Sequence, residues 1–589
     1  MPVPDRQQCH SGGVARQLDR RSDARLQRLP GWPGLLGLLV ALVLAAGCTE
    51  GPAAATDAAT AGDLPTDAAE TQEDTGKIDT APPWAADAVA PAVAPTLPQA
   101  CTQTLAGLDQ AFALPVLPIP DGNIGIETDA DMVLLGHVER MQTYAILPGA
   151  ATLDTAAQGP LQISGDAGTT VTQTTDLAGG QGSVEVRFDT PGPHKLTAQF
   201  HDGREGHHWF FAYASHLPVV TLQLTPSNWE SLLDNPYLRD YYPCSLQVDG
   251  NTYQGAQVRL HGATSSDLVK RSFRVKLAKG TTLSDGSADL ILRSEYIDKT
   301  QLRTWLSYQA IRDFTWLPTP QTRFVHLRVN QRFYGVMLQV ERLDATYLKR
   351  RGLNPNGALY EADPPNELAI PGGNLTPLYP PDVYPQVYAK HSGAKPYDDL
   401  RDLIERVLQL PTSQLAAQLD RHVKVGDWLA FAAVMTVLQN QEHLRKNYYM
   451  YRNPATIDDR WMFLPWDLDV TWGHLWTPQN DVLDETIFTA LLPNKGSYKV
   501  DEGFYNQMYR ALDHPPWREQ WAALAMDLAV KMLDPAYLKP RIDHAFCLMA
   551  ADLLADPRKR SSNGEYLQRV QELYQYASKR LQFLKVAVK

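Results

Sequence analysis

Apolar and polar residues alternate along two short segments in the first half of the chain, 184–188 and 196–200. Alternation with a period of two is typical of β-strands that bury one face. Asp202-Gly203 follows the second segment and is a turn signal. We therefore predict that residues 99–217 form a small all-β sandwich domain of the immunoglobulin type.

The pattern becomes mixed after residue 217. Two pairs of short apolar segments predict hairpins whose strands are 244–248, 253–260, 324–329 and 334–340. Asp249-Gly250 separates the first pair and suits a type I′ turn. Helices are predicted where apolar residues recur at helical spacing, at 301–313, 398–440 and 566–588. This order predicts an α+β domain over residues 218–589, with a strand-rich first lobe and a largely helical second lobe.

The N-terminus has the pattern of an export signal. Residues 1–33 contain six Arg and three Asp, and an uncharged apolar run of 14 residues follows at 34–47. A basic stretch before a short apolar one is typical of a signal peptide, because a membrane-spanning helix needs about 20 apolar residues. The sequence Leu-Ala-Ala-Gly-Cys at 44–48 resembles the bacterial lipobox, in which the Cys is diacylated and becomes the new N-terminus. We therefore expect residues 1–48 to be a lipoprotein signal and Cys48 to anchor the exported chain in a membrane; an ordinary signal with a chance Cys is the alternative.

Residues 49–98 are rich in Ala, Thr, Asp and Pro, and they carry nine acidic residues and one Lys. Such a segment has too little apolar surface to offset the entropy of ordering, so we predict a disordered acidic linker. The linker accounts for much of the net charge of −12, which leaves the folded part near neutral. The sequence has no basic stripe and no RNA-binding signature, so nothing in it indicates a nucleic-acid partner.

Besides Cys48, the exported chain contains Cys101, Cys244 and Cys547, whose spacing fits no metal site. An exported location permits one disulfide among these three residues, and the sequence does not select the pair.

Oxygen-bearing side chains gather at the ends of two predicted strands in the second lobe. Asn447 opens one strand, and Asp467 and Asp469 follow the next. Residues two apart on an extended chain face the same side. An Asn and two carboxylates that converge from adjacent strands can hold a hard divalent cation beside phosphates. Bulky Trp residues bracket the two Asp, and enclosed charges need a partner or an ion, so we predict a metal site and regard a solvated turn as the alternative.

Basic and small polar side chains form a second group in the first lobe. Arg259 precedes a Gly-Ser loop at 262–266, and Lys270 and Lys276 follow it. Strand lysines and a loop of this kind can contact phosphate oxygens. A further acidic residue, Glu341, closes the second predicted hairpin.

Taken in order, these motifs resemble the CotH family of atypical protein kinases. The shared features are the R-x-x-G-x-x-S loop from Arg259, the N-x-x-x-x-G-V hairpin that ends in Glu341, the Asn-Tyr-Tyr strand, the Pro-Trp-Asp-x-Asp block at 465–469 and the closing helix. The resemblance covers roughly residues 218–587. It implies a kinase-like fold that binds ATP and Mg²⁺ and transfers the γ-phosphoryl group to Ser or Thr of a protein.

The resemblance also implies which residues bind the nucleotide. Lys276, or alternatively Lys270, would hold the α- and β-phosphates. The residues expected near these phosphates are Arg259, Gly262, Ser265 and Ser266. Glu341 would pair with the phosphate-binding lysine, or it would cap its own hairpin instead.

For catalysis, the resemblance implies that Asn447, together with Asp469 or Asp467, binds the metal. Glu442 lies five positions before Asn447, where kinases carry the catalytic carboxylate. The family has Asp at this position. We therefore expect an exported, lipid-anchored kinase of cell-envelope proteins, and the alternative is a pseudokinase that binds a partner without turnover. A third possibility is that the acidic group binds Ca²⁺ for stability.

Overall fold

The computed structural model describes residues 121–148, 152–262, 264–363, 373–393, 396–440, 442–474 and 506–588. The predicted signal with Cys48, the linker and Cys101 lie outside these ranges, so those interpretations stay predictions. Cys244 is a buried thiol that forms no disulfide within the described residues. This part of the chain is a mixed α+β structure, and none of its helices is long and apolar enough to cross a membrane.

Between residues 121 and 213 the structure describes these strands: β1 (Asp121–Gly122), β2 (Ile124–Glu127), β3 (Met132–Leu134), β4 (Val138–Ala145), β5 (Leu161–Gly165), β6 (Thr169–Thr174), β7 (Gln181–Phe188), β8 (Gly192–Phe200) and β9 (Glu205–Tyr213). One sheet has the order β1-β9-β8-β5 with β3 beside β9, and the other has the order β2-β4-β7-β6. The apolar positions of 184–188 and 196–200 are buried in a core to which both sheets contribute. The alternation in the sequence therefore predicted these strands correctly, while the immunoglobulin type and the boundary at residue 217 stay predictions.

Seven strands then close into a barrel: β10 (Val219–Gln223), β11 (Tyr242–Val248), β12 (Asn251–His261), β13 (Ser272–Lys276), β14 (Asp289–Arg293), β15 (Thr322–Val329) and β16 (Arg332–Val340). Around the barrel the order is β10-β11-β12-β13-β14-β16-β15. Both predicted hairpins are present, as β11–β12 and β15–β16. Asp249 and Gly250 have φ values of 50° and 75°, which the predicted type I′ turn requires.

Two helices accompany the barrel strands, α1 (Pro226–Asp234) and α2 (Arg303–Phe314). The predicted helix at 301–313 begins two residues late, because Gln301 adopts a left-handed conformation with φ of 54°. Asp298 fixes this start: its carboxylate accepts the backbone N–H of Leu302 (2.9 Å) and of Arg303 (2.8 Å). The helix therefore begins where its free N–H groups find an acceptor.

The part of the chain that follows β16, which we call the second lobe, contains a four-stranded sheet and most of the described helices. The strands are β17 (Ala358–Ala362), β18 (Tyr388–Ser392), β19 (Tyr448–Arg452) and β20 (Met462–Pro465), in the order β18-β17-β19-β20. The helices are α3 (Ala345–Arg350), α4 (Tyr384–Val387), α5 (Asp398–Arg401), α6 (Thr412–His422), α7 (Val425–Leu438), α8 (Pro515–Met532), α9 (Pro535–Ala555) and α10 (Asn563–Ala587). Helix α7 is buried along nearly its whole length, which makes it the central support of this lobe.

Helix α10 shows why the closing segment is helical. Ser562 and Glu565 form a reciprocal capping box at its N-terminus, and this satisfies backbone donors that have no partner within the helix. Its buried face includes Tyr566, Val570 and Leu573, at the spacing of one helical stripe. The prediction of a helix at 566–588 is therefore confirmed, with a start three residues earlier.

Asp552 on α9 joins the first strands to the barrel. Its carboxylate accepts hydrogen bonds from Tyr213 Oη (3.2 Å) and Ser215 Oγ (2.7 Å), and His326 Nδ1 on β15 lies 2.6 Å away. Asp552 and the His326 side chain are fully buried. A buried acceptor that serves three groups cannot be removed without leaving those groups unsatisfied.

We predict that Asp552→Ala lowers the free energy of unfolding by about 3 kcal/mol, because the three partners lose their shared acceptor. Urea unfolding of the variant and the wild type measures this difference. Asp382→Ala at an exposed site is the matched control and should change stability by less than about 0.5 kcal/mol. Equal effects of the two substitutions would show that Asp552 does not hold the junction together.

Candidate functional site

Glu442 and Asn447 are positioned by the segment between helix α7 and strand β19. Gln439 ends α7 in the left-handed conformation, with φ of 58°. Asn440 Oδ1 then accepts the backbone N–H of Glu442 (2.9 Å), at the start of the 3₁₀ turn Glu442–Leu444. Asn447, with φ of 62°, lies immediately before β19. The two side chains are thus held by a capped turn and by the sheet.

The two side chains also contact each other. Asn447 Nδ2 donates to Glu442 Oε2 at 2.7 Å, and Lys446 Nζ lies 3.0 Å from Glu442 Oε1. Both carboxylate oxygens of Glu442 therefore have a partner. Asn447 Oδ1 accepts no hydrogen bond from the residues that the structure describes, and this oxygen stays available to a ligand.

Asp467 and Asp469 lie on the turn that follows β20. Asp467 has φ of 56°, and Asp469 is 8% exposed. Trp472 anchors the turn: its backbone N–H donates to the Leu438 carbonyl at the end of α7 (2.8 Å), and its Nε1 donates to Ser307 Oγ on α2 (2.9 Å). The turn is therefore fixed to the same helix end that precedes Glu442.

These elements bring three carboxylates together. Oxygen atoms of Glu442, Asp467 and Asp469 lie within 4.8 Å of one another. Arg293, at the end of β14, extends to the same place: its Nη1 lies 2.5 Å from Asp467 Oδ1 and its Nη2 lies 3.1 Å from Asp469 Oδ2. The third guanidinium nitrogen, Nε, donates to Glu295 Oε1 at 2.8 Å.

The charges at this site are not balanced. Burial raises the pKa of Asp469 well above its ordinary value, and Asp467 raises it further. Burial also raises the pKa of Glu442, against the effect of Lys446. Burial lowers the pKa of Lys446, but the charges of Glu442 and Asp467 outweigh burial, so that this pKa is raised. The carboxylates of Glu442, Asp467, Asp469 and Glu295 lie beside two cations, Arg293 and Lys446. This surplus of negative charge among the described residues favours a divalent cation.

The donor set fits magnesium. Asp467 and Asp469 offer carboxylate oxygens and Asn447 offers an amide oxygen, and hard divalent cations prefer such ligands. The structure thus places Asp467 and Asp469 beside Glu442, and Glu442 in turn contacts Asn447. The metal-binding role of Asn447 and the two aspartates stays a prediction.

Arg259 and the Gly-Ser loop lie at the end of β12. Arg259 Nη1 donates to the Leu260 carbonyl (2.9 Å), and its guanidinium lies 5.6 Å from the centre of the Tyr241 ring. Gly262 has φ of 101°, which favours glycine. Ser266 Oγ donates to the Gly262 carbonyl (3.0 Å). Arg259 thus lies on β12 shortly before a compact turn, and its predicted contact with phosphate stays a prediction.

Ser265 packs directly on Gly262, so closely that a Cβ at that glycine would collide with the serine hydroxyl. This contact is a second reason for glycine at position 262. The loop is thus shaped by its own side chains, and the predicted phosphate-binding roles of Gly262, Ser265 and Ser266 stay predictions.

The two candidate lysines have different surroundings. Lys276 is exposed at the end of β13 and makes no hydrogen bond or ion pair with the described residues. Lys270 is fully buried, with its Nζ 2.8 Å from Asp556 Oδ2 and 3.1 Å from Gln301 Oε1. Lys270 is thus paired with Asp556, which caps the end of α9, and the charges of Asp556 and Glu295 oppose the lowering of its pKa by burial. Its role at the phosphates stays a prediction.

Glu341 is paired with arginines. Its carboxylate lies 2.9 Å from both Arg350 and Arg351, and it accepts the backbone N–H of Gln321 at 2.9 Å. These contacts match the hairpin-capping alternative that the sequence left open. The pairing of Glu341 with a phosphate-binding lysine stays a prediction.

The sequence reasoning missed Arg293, Glu295, Lys446 and Asp363. Arg293 and Glu295 stand two apart after the apolar segment of β14, and this change from apolar to charged residues is the signal that could have identified them. Lys446 is four positions after Glu442, the spacing of one helical turn. Nothing in the sequence marks Asp363, which immediately follows β17.

Burial and the neighbouring Glu361 raise the pKa of Asp363 from 3.8 to about 6. Because the folded chain binds this proton more tightly than the unfolded chain, the carboxyl favours folding below pH 3.8, and this contribution is lost as the pH rises through about 6. We compare the free energies of unfolding of Asp363→Asn and the wild type without divalent metal. We predict that this difference shifts in favour of the variant by at most about 3 kcal/mol as the pH rises from 4 to 7. Urea unfolding at both pH values measures the shift; a difference that does not change with pH would refute it.

Comparison with known proteins gives consistent matches for this part of the chain. A family model described as "CotH kinase protein" matches residues 258–584, more than half of the chain. The inner spore coat protein H of Bacillus subtilis (strain 168) is 23% identical over 385 residues, which cover 63% of this chain and 97% of that protein.

Among solved structures, a chain of the Shewanella oneidensis MR-1 toxin–antitoxin complex of HipA, HipB and operator DNA is 12% identical. The match covers 53% of this chain and 59% of that one, with a TM-score of 0.23. A similarity at this level carries no argument about fold or function.

Proposed function

Because the chain belongs to the CotH kinase family, we propose that it is an exported, lipid-anchored protein kinase that transfers the γ-phosphoryl group of ATP to Ser or Thr of cell-envelope proteins. The observation that carries this proposal is the convergence of Glu442, Asp467 and Asp469 within 4.8 Å. Family membership supports a kinase-like enzyme in general. The activity, the protein substrate and the anchor at Cys48 belong to the proposal.

Glu442 would orient the acceptor hydroxyl and take its proton while the acceptor oxygen bonds to the γ-phosphorus and the bond from that phosphorus to the bridging oxygen of ADP breaks. Lys446 and Asn447 hold its two oxygens, which limits the movement of the carboxylate. Burial raises its pKa, and a carboxylate with a raised pKa accepts a proton more readily than an exposed Glu.

Mg²⁺ would be held by Asn447, Asp469 and Asp467. When bound, the ion neutralises negative charge on the phosphates. Arg259 and the loop with Gly262, Ser265 and Ser266 would contact phosphate oxygens from the barrel. Lys276 or Lys270 would hold the α- and β-phosphates: Lys276 has no hydrogen bond or ion pair with the described residues, whereas Lys270 is paired with Asp556.

One observation favours a second candidate function, a pseudokinase that binds a partner at the envelope. Glu442 stands where the family has Asp, and both of its oxygens are engaged by Lys446 and Asn447. The additional methylene moves the carboxylate by about 1 Å, and a misplacement of this size can cost on the order of 10²-fold in rate.

We predict that the purified full-length chain incorporates label from γ-labelled ATP into Ser or Thr of itself or of an added protein, in a Mg²⁺-dependent reaction. Asp469→Asn and Glu442→Gln should each lower the rate by about 10²-fold or more, because one removes a metal ligand and the other removes the base. Phosphoamino-acid analysis of the labelled protein measures both the extent and the residue type.

Asp382→Asn, at an exposed position, is the control for this assay and should retain the wild-type rate. Absence of label with intact binding of ATP would favour the pseudokinase, and a gain of activity in Glu442→Asp would then locate the cause at this residue. Failure to bind ATP at all would contradict the kinase and would leave the metal assignment without support.

A further inference from the structure

Arg293 uses each of its guanidinium nitrogens for a different carboxylate. Nη1 contacts Asp467 (2.5 Å), Nη2 contacts Asp469 (3.1 Å) and Nε contacts Glu295 (2.8 Å). The side chain is only 12% exposed. The proposed function assigns these two aspartates to the metal as ligands. In this structure Arg293 supplies the positive charge between them.

Glu295 holds Arg293 independently of the aspartates. Its other oxygen, Oε2, accepts a hydrogen bond from Thr304 Oγ1 on α2 at 2.6 Å, and its side chain is 1% exposed. The contact through Nε leaves Nη1 and Nη2 as a two-pronged donor. Such a fork fits two phosphate oxygens as well as it fits two carboxylates.

Building on the proposed function, we propose that Arg293 occupies the cation position between Asp467 and Asp469 in the resting chain. When a divalent ion takes that position, the Nη1 and Nη2 groups of Arg293 donate to the nucleotide phosphates instead. Glu295 keeps Nε in place during this exchange. Arg293 is then a positioning residue: it competes with the metal alone and cooperates with the metal–nucleotide pair.

The exchange has a thermodynamic consequence. A divalent ion that binds alone must separate Arg293 from two carboxylates without giving the guanidinium a new partner. A divalent ion that arrives with a nucleotide provides phosphate oxygens for the same donors. The metal should therefore bind weakly by itself and much more tightly with the nucleotide, and this coupling should depend on Arg293.

Binding of Mn²⁺ tests this directly, because the electron paramagnetic resonance signal of free Mn²⁺ reports the bound fraction without any turnover. We expect Arg293→Gln to bind Mn²⁺ alone at least about tenfold more tightly than the wild type. A non-hydrolysable ATP analogue should raise the affinity for Mn²⁺ in both proteins. We expect the factor of this increase to be at least about tenfold smaller in the variant than in the wild type. Arg342→Gln is the matched control and should behave as the wild type, because its partner Asp289 keeps Arg274.

If Arg293→Gln does not fold, Arg293→Lys serves the same purpose, since an ammonium keeps the charge but cannot span both aspartates and Glu295. It should bind Mn²⁺ alone about threefold more tightly, with reduced coupling to the nucleotide. Unchanged or weaker Mn²⁺ binding in a folded Arg293 variant overturns the exchange and leaves the proposed function intact. Absence of Mn²⁺ binding in the wild type, the Arg293 variants and Asp469→Asn alike overturns the metal site itself, and the inference with it.

Discussion

The structure around the candidate site depends on one buried ion pair network, in which Arg293 joins the barrel to the turn that carries Asp467 and Asp469. Buried charges are costly unless they are paired, so the two lobes must meet in the geometry that pairs them. The negative charges of Asp467 and Asp469 repel each other, and the positive charge of Arg293 partly offsets this repulsion. The same repulsion makes the position attractive to a divalent cation.

The scaffold holds this network through contacts at the ends of its elements. Helix α7 ends at a left-handed Gln439, and Asn440 caps the turn that presents Glu442. Trp472 links the acidic turn to α2 and to the end of α7. A second buried pair, between Lys270 and Asp556, binds the barrel to the segment after α9. Rigid supports of this kind keep a catalytic or binding group within the small tolerances that its chemistry allows.

The sequence predicted the parts of the site that follow from local pattern. Asn447 and Asp469 flank neighbouring strands, and strand periodicity was sufficient to expect them at one edge. The role of Lys270 could not be read in this way, because its partner Asp556 lies 286 positions away in the chain. Arg293 was missed for the same reason, as 176 positions separate it from Asp469. Local pattern predicts strands and turns, whereas ion pairs between distant segments depend on the closed fold.

We propose that Asn447, Asp467 and Asp469 form a metal site that serves a nucleotide. Anomalous diffraction from crystals of the full-length chain grown with Mn²⁺ and a non-hydrolysable ATP analogue tests it most directly. We expect an anomalous peak about 2.2 Å from oxygen atoms of Asp469 and Asn447, with the analogue's phosphates beside it. A peak elsewhere, or bound nucleotide with no metal at these residues, would contradict the claim.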